Sequence, residues 1–205
     1  MSTKGDRERI AGYYDGLVAE HGYSVQARDA SSEQGLAVRY RALSEAGALA
    51  GKTVLEVGCG FGDLGEYLAA RFPGVKYSGI DLSGAMVETG RRIHPSLELK
   101  QCDVAELRAS AKFDFVLAQG IFYLLGADAQ RKMQTLIRCM FDHCNAGVGF
   151  CTISAWADTK QEREFYPDPL ETLDYCRTVT PWVTLRHDYH PGDFAVYMYR
   201  DAQGR

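Results

Sequence analysis

An apolar run that ends in a cluster of glycines, "TVLEVGCGFGDLG" at residues 53–65, constrains this chain more than any other stretch. Branched apolar residues followed by closely spaced glycines describe a buried strand that turns sharply into a helix. Such a turn lets the backbone approach a ligand closely, and the helix after it points its N-terminal N–H groups at that ligand. The cluster admits two spacings. Gly60, Gly62 and Gly65 fit G-x-G-x-x-G, whereas Gly58, Gly60 and Gly62 fit G-x-G-x-G.

The segments downstream continue the pattern. "KYSGIDL", "LELKQCDV", "FDFVLAQGI" and "VGFCTISA" read as strands, interleaved with helical periodicity in "DLGEYLAARF", "GAMVETGRRIH" and "AQRKMQTLIRCMFDHC". Pro73-Gly74 stops the first of these helices, while Ser83 can cap the second and Pro95 ends it. "DPLETLDYCRTV" is a helix with proline in its first turn. "WVTLRHDY" and "FAVYMYR" alternate on either side of a "HPGD" turn, so the last strand should enter antiparallel. The expected fold class is α/β: a doubly wound, seven-stranded, mostly parallel sheet with an antiparallel C-terminal hairpin strand. One domain is expected over residues 1–205, with a helical cover over 1–50 and a Rossmann-like core over 51–205. A long helical segment ahead of the first strand suits a lid over the strand ends, where open α/β sheets bind ligands.

Composition narrows the function classes. Apolar content of 46% and charged content of 24% belong to a globular protein with a real core. Net charge is −4 with Lys and Arg scattered, and Arg91-Arg92 reads as the cationic last turn of a helix, so no nucleic-acid partner is expected. No apolar run reaches the roughly eighteen residues of a membrane span. The charged start "MSTKGDRERIAGYYDG" is unlike a signal peptide, so a cytoplasmic protein without a membrane partner is expected. The six cysteines form no C-x-x-C pair and are expected to be reduced and mostly buried. His187 and His190 are the best-spaced histidines, but no ligand cluster completes them, and no metal is expected.

The two glycine spacings imply different ligands, a dinucleotide for the first and S-adenosylmethionine (SAM) for the second. Asp81, at the end of the second strand, suits the ribose hydroxyls of either. Three features favour SAM. Glu56 sits within the first strand, awkward beside a pyrophosphate but able to help hold an ammonium group. Asp103, in "CDV" at the end of the third strand, is placed to accept from an adenine amino group. A terminal hairpin is expected, with no second domain for a hydride acceptor.

"VLEVGCGFGDLGEYL", "YSGIDLSGAMVETGRR", "KQCDVAEL" and "FDFVLAQGIFYLL" come in the order and spacing of the class I SAM-dependent methyltransferases, which this chain therefore resembles over roughly residues 52–126. The terminal hairpin is similar to that family's reversed strand pair. The resemblance implies that Gly58, Gly60 and Gly62 form the turn beside the methionine part of SAM, with Glu56 in support. It implies that Asp81 holds the ribose, Leu82 packs on the adenine, and Asp103 and Val104 take the adenine edge. Gln119 and Gly120 would meet the methionine ammonium or carboxylate. "YYDGLVAEHGYS" and "LRHDYHPGDFAVYMYR" further resemble a group of small bacterial methyltransferases. That group carries tryptophan and glutamine where this chain has Ala30 and Leu36, and asparagine where it has Tyr123.

Methyl transfer needs alignment and exclusion of water more than a base, and positioning can supply about 7–11 kcal/mol. Aromatic faces add on the order of 1–2 kcal/mol each for a desolvated cation. Among twelve tyrosines, Tyr14 and Tyr123 are the leading candidates to line the reacting site, and His21 is a candidate base or orienting donor. Tyr23 and Arg39 are candidate acceptor contacts, Arg39 for a carboxylate. Each has a plainer alternative: a packing tyrosine, a helix-terminal histidine, a solvated arginine. Tyr13 and Tyr14 cannot face the same way on a helix, so at most one should point inward. The expected activity is methylation of a small molecule in a closed, tyrosine-lined cleft, releasing S-adenosylhomocysteine (SAH), by a monomer or homodimer. Two alternatives stay open: a cyclase or lyase converting SAM into azetidine-2-carboxylate and methylthioadenosine, and a non-catalytic SAM-binding module.

Overall fold

The computed structural model describes residues 3–202; the first two residues of the expected cover and the last three of the expected core lie outside it. Seven strands form one sheet: β1 (Thr53–Val57), β2 (Lys76–Asp81), β3 (Glu98–Gln101), β4 (Phe113–Gln119), β5 (Cys144–Ile153), β6 (Val183–Arg186) and β7 (Asp193–Tyr199). Their spatial order is β3-β2-β1-β4-β5-β7-β6. Strands β1 to β5 pair in parallel, and β7 runs antiparallel to both β5 and β6. The expected reversed hairpin strand is therefore β7, inserted between β5 and β6.

Both faces of this sheet are covered, which is why its strands read as continuous apolar runs. Successive residues point to opposite faces. Leu55, Val57, Val116 and Ala118 join one core with Met133, Ile137 and Met140 of α5 (Ala129–Asp142) and Cys176 of α6 (Pro169–Val179). Val54, Phe115 and Leu117 join the other, with Leu64 and Leu68 of α3 (Asp63–Ala69) and Val87 of α4 (Gly84–Ile93). Ser83 caps α4 as expected, accepting from the Met86 N–H at 3.1 Å. Asp168 caps α6 ahead of Pro169, accepting from the N–H groups of Leu170 and Glu171. Helix α3 is shorter than its sequence pattern: it ends at Ala69, and hydrogen-bonded turns carry the chain to Phe72.

Two N-terminal helices, α1 (Lys4–His21) and α2 (Glu33–Ser44), precede the sheet. Thr3 and Asp6 form a reciprocal capping box at the start of α1, and Ser32 caps α2. Helix α1 lies against α4, and α2 against α3, β4 and β5. Order in the sheet reverses between β1 and β4, so the crevice beyond their carboxyl ends is where a ligand would sit.

Candidate functional site

The turn after β1 is built by glycines at positive φ. Gly58 has φ 73°, and a Cβ there would lie 2.2 Å from Ile121 Cγ2, so only glycine fits between the turn and the segment after β4. Gly60 has φ 54°, and a Cβ there would meet nothing within 4 Å, since its open side faces no protein atom. Beyond this turn is a cavity of about 230 Å³. Its walls come from the ends of β1, β2, β4 and β5, the exit from β3, both N-terminal helices and the loop between them.

Glu56, Gly58, Gly60, Asp81, Leu82, Asp103, Val104, Gln119 and Gly120 all line this cavity, as do Tyr14, Arg39 and Tyr123. Gly62 does not; its φ of 89° starts α3, and its N–H donates to the Cys59 carbonyl at 2.8 Å. His21 and Tyr23 are not brought to the cavity either. His21 ends α1 on the exposed side, 3.6 Å from Glu20, because the helix carries Tyr14 inward and its last turn past the cavity rim. Tyr23 is 47% exposed, and its hydroxyl donates to Asp63 at 2.6 Å while its ring packs edge-on against Phe61.

The acids differ in how they are held. Both oxygens of Asp81 accept backbone N–H groups, Oδ2 from Gly60 at 2.8 Å and Oδ1 from Ser83 at 2.9 Å. Burial pushes its carboxyl up, and those backbone donors oppose the shift. Each oxygen keeps a second lone pair for a ligand hydroxyl. Asp103 accepts from the Ala105 N–H at 2.9 Å and from Arg7 of α1 at 3.1 Å. Glu56 is only 3% exposed, and Tyr77 of β2 donates its hydroxyl to it. Burial raises its carboxyl well above the ordinary range, with Tyr77 opposing. An internal phenol thus answers the need for a partner that its sequence position raises.

Gln119, at the end of β4, presents a buried Oε1 with no hydrogen-bond partner, and Thr152 of β5 presents an Oγ1 in the same condition. Two orphaned polar atoms in one cavity wall call for polar groups from a ligand. An ammonium is the kind of donor the Gln119 oxygen lacks, and with the open Gly60 turn and the Asp81 carboxylate it fits the polar groups of SAM.

On the cover side, Tyr14 bonds hydroxyl to hydroxyl with Tyr123, and Tyr123 donates to Asp29 Oδ2 at 3.0 Å. Tyr13 also reaches Asp29 Oδ2, at 2.8 Å, but only Tyr14 of the pair lines the cavity. Burial pushes both the Tyr14 and the Tyr123 phenols up, so they stay neutral hydroxyls. Arg39 does not extend free into the cavity: it pairs with Asp193 at the start of β7. The sequence reading did not single out Asp29, Tyr40, Thr152 or Asp193, all of which line the site. Only the polar loop "ARDASS" hinted at Asp29, a residue type that tolerates the left-handed backbone it adopts at φ 50°. Among the described residues no group of three metal-ligating side chains occurs, all six cysteines are free, and no helix is long and apolar enough to cross a membrane.

A family model described as a methyltransferase domain matches residues 54–145. A protein of Mycobacterium tuberculosis named as a methyltransferase is 28% identical over 71% of this chain and 92% of its own length. The matched segment carries the glycine turn and the strand ends that line the cavity. The chain is similar to methyltransferases in sequence and in fold. Trans-aconitate 2-methyltransferase of Paracidovorax citrulli is 46% identical, but over 25% of this chain and only 20% of its own length. The structure of magnesium protoporphyrin IX methyltransferase from Synechocystis PCC 6803 with bound SAM superposes with a TM-score of 0.71 at 13% identity, covering 98% of this chain and all of that one.

Proposed function

We propose that the enzyme transfers the methyl group of SAM to a small molecule enclosed beneath α1 and α2. The observation that carries this reading is continuity: one cavity runs from the glycine turn and the strand-end acids to the Tyr14–Tyr123 pair under the cover. When bound, SAM supplies a methyl group already activated by its sulfonium. The protein's task is then to bind, orient and exclude water. Gly58, Gly60, Asp81, Leu82, Asp103 and Val104 hold the nucleoside end in this reading, and Glu56, Gln119 and Gly120 border the methionine end. Tyr14 and Tyr123 form the wall nearest the acceptor in this reading, and Arg39 lines the same cavity. Neutral phenols there present ring faces and hydroxyl dipoles to a cation without introducing a charge of their own.

Incubating the purified protein with SAM alone and analysing the adenosine products by mass spectrometry is the first test. SAM that binds and stays intact is the expected result, with SAH formed only when an acceptor is added. Methylthioadenosine formed with turnover would instead mean that SAM reacts within itself. Gln119→Leu isolates one part of the reading. Oε1 has no internal partner, so the substitution should leave stability unchanged or slightly raised. If that oxygen meets the ligand, SAM should bind roughly tenfold more weakly by calorimetry. Unchanged affinity would remove Gln119 from the site.

A further inference from the structure

Charges in the cavity wall are unequally matched. Among the described residues that line it, Arg28 and Arg39 are the only arginines or lysines, and both are taken. Arg28 has Nε 2.9 Å from Asp63 Oδ2 and donates to Glu33 at 3.0 Å, and Arg39 pairs with Asp193. Asp103 is answered by Arg7, and Glu56 by the Tyr77 hydroxyl. Asp81 is answered by backbone N–H groups and Glu164 by the Tyr166 hydroxyl, while Asp29 faces only a loosely held surface cation. That cation is Arg163, 3.6 Å from Asp29 on a side chain that is half exposed, a geometry worth little in water. Its Oδ2 gathers the Tyr13 and Tyr123 hydroxyls, so the carboxylate is held on the cavity wall at the Tyr14–Tyr123 pair.

A second observation points to a ligand in the same cavity. Thr152 is 3% exposed, yet its Oγ1 has no partner within the protein. A hydroxyl can donate or accept, so it suits an N–H or O–H group on whatever enters. An acceptor carboxylate would find no free cation to replace its lost hydration, and would have to sit beside Asp29. We infer that the acceptor is a neutral or cationic hydroxyl or amine compound, recognised by Asp29 and Thr152, and that carboxylates are excluded. This inference rests on the methyl-transfer reading and deepens it. It separates this chain from its relative named for trans-aconitate, a polycarboxylate, with which it shares only a short segment.

Three phenols of similar size test the inference: tyramine, 4-ethylphenol and 4-hydroxyphenylacetate, which differ chiefly in charge at one end. Binding to the SAH-loaded enzyme is measured by calorimetry, and the order is read on the unsubstituted protein, so it depends on no variant folding. Tyramine and 4-ethylphenol should each bind at least roughly tenfold more tightly than the carboxylate. Asp29→Asn keeps a residue that tolerates the left-handed backbone, and it should bring the three affinities to within about threefold of one another, as the like-charge penalty is removed. A carboxylate that binds as well as the amine overturns the inference. A preference unchanged in Asp29→Asn, or no probe binding at millimolar concentration, does so too. SAH binding is measured first and alone. If it fails, the methyl-transfer reading fails, and the probe order on the free protein still decides the charge preference of the cavity.

Discussion

Helices α1 and α2 both overhang the cavity, but different forces attach them. Helix α2 buries Leu36, Ala42, Leu43 and Ser44, and Ala42 and Leu43 enter the same apolar cluster as Val54 and Leu117 of the sheet. Helix α1 buries no residue fully. Tyr14, Leu17 and Val18 pack part-buried on Phe61 and Met86, and the remaining attachment is polar. Lys132 of α5 reaches Asp6 at 2.8 Å, Arg7 reaches Asp103, Arg9 donates to the Leu124 carbonyl at 2.7 Å, and Asp15 accepts from Ser83. Apolar burial is cooperative with the whole core, whereas a row of ion pairs can be released piecewise, and salt weakens those that reach solvent. One half of the cover is thus part of the fold and the other half is clipped to it. An enclosed site needs a part that opens for exchange, and we propose α1 as that part.

The largest test of this contrast is Leu43→Ala. Leu43 is fully buried, and the truncation should cost about 2–5 kcal/mol of global stability, read as a lower midpoint in denaturant. An unchanged midpoint would mean that α2 is not continuous with the core. Lys132→Met should act elsewhere. It removes the partner of Asp6 and should weaken the docking of α1 by about 1–3 kcal/mol. Native-state hydrogen exchange should then speed up over residues 4–21 while α2 and the sheet stay protected. Equal acceleration in both helices would erase the distinction.

Acid and base sharpen it further, because the two regions carry carboxyls shifted in opposite directions. Asp6 is held well below its ordinary value, chiefly by the hydrogen bond from Lys132. Its contribution is complete above the ordinary value of 3.8 and is lost as pH falls through the lowered folded value, so acid should release α1 first. Glu56 in the sheet is raised by burial. Its contribution is complete below the ordinary value of 4.5 and declines as pH rises towards the raised folded value. Glu56→Gln removes that titration, so the melting temperature of the variant relative to the unsubstituted protein should climb with pH above 4.5. A flat difference would show that Glu56 titrates normally.

This contrast also marks what could be read from residue order. The seven strands were legible because a sheet covered on both faces needs unbroken apolar runs, and the Ser83 cap and the "HPGD" hairpin announce themselves within a few residues. The strand-end positions Asp81, Asp103 and Gln119 follow from the same regularity. The cover was legible only as two helices. Asp193, which occupies Arg39, lies 154 residues away, and Tyr77, which answers Glu56, becomes a neighbour only through the β1–β2 register. Asp29 enters the wall through a loop conformation that no periodicity signals, and His21 leaves it because the helix runs about two turns past Tyr14, its last residue in the cavity wall.

The finest test lies where α1 meets α4. Asp15 Oδ1 accepts from the Ser83 hydroxyl at 2.5 Å and from the Ala85 N–H at 3.1 Å, so a carboxylate on one helix sits at the N-terminus of the other. Asp15→Asn keeps an oxygen for those donors and removes only the charge. The loss should be that of a charge at a helix N-terminus, about 0.3–1 kcal/mol, read as slightly faster hydrogen exchange across α1 with no change in global unfolding. Because that interaction is electrostatic and partly open to solvent, the difference between the two proteins should fade in about 1 M salt, where the screening length is about 3 Å. A difference that persists at high salt would locate the attachment in hydrogen-bond geometry. The clipped half of the cover would then be held by shape, and ionic strength would not govern how readily it opens.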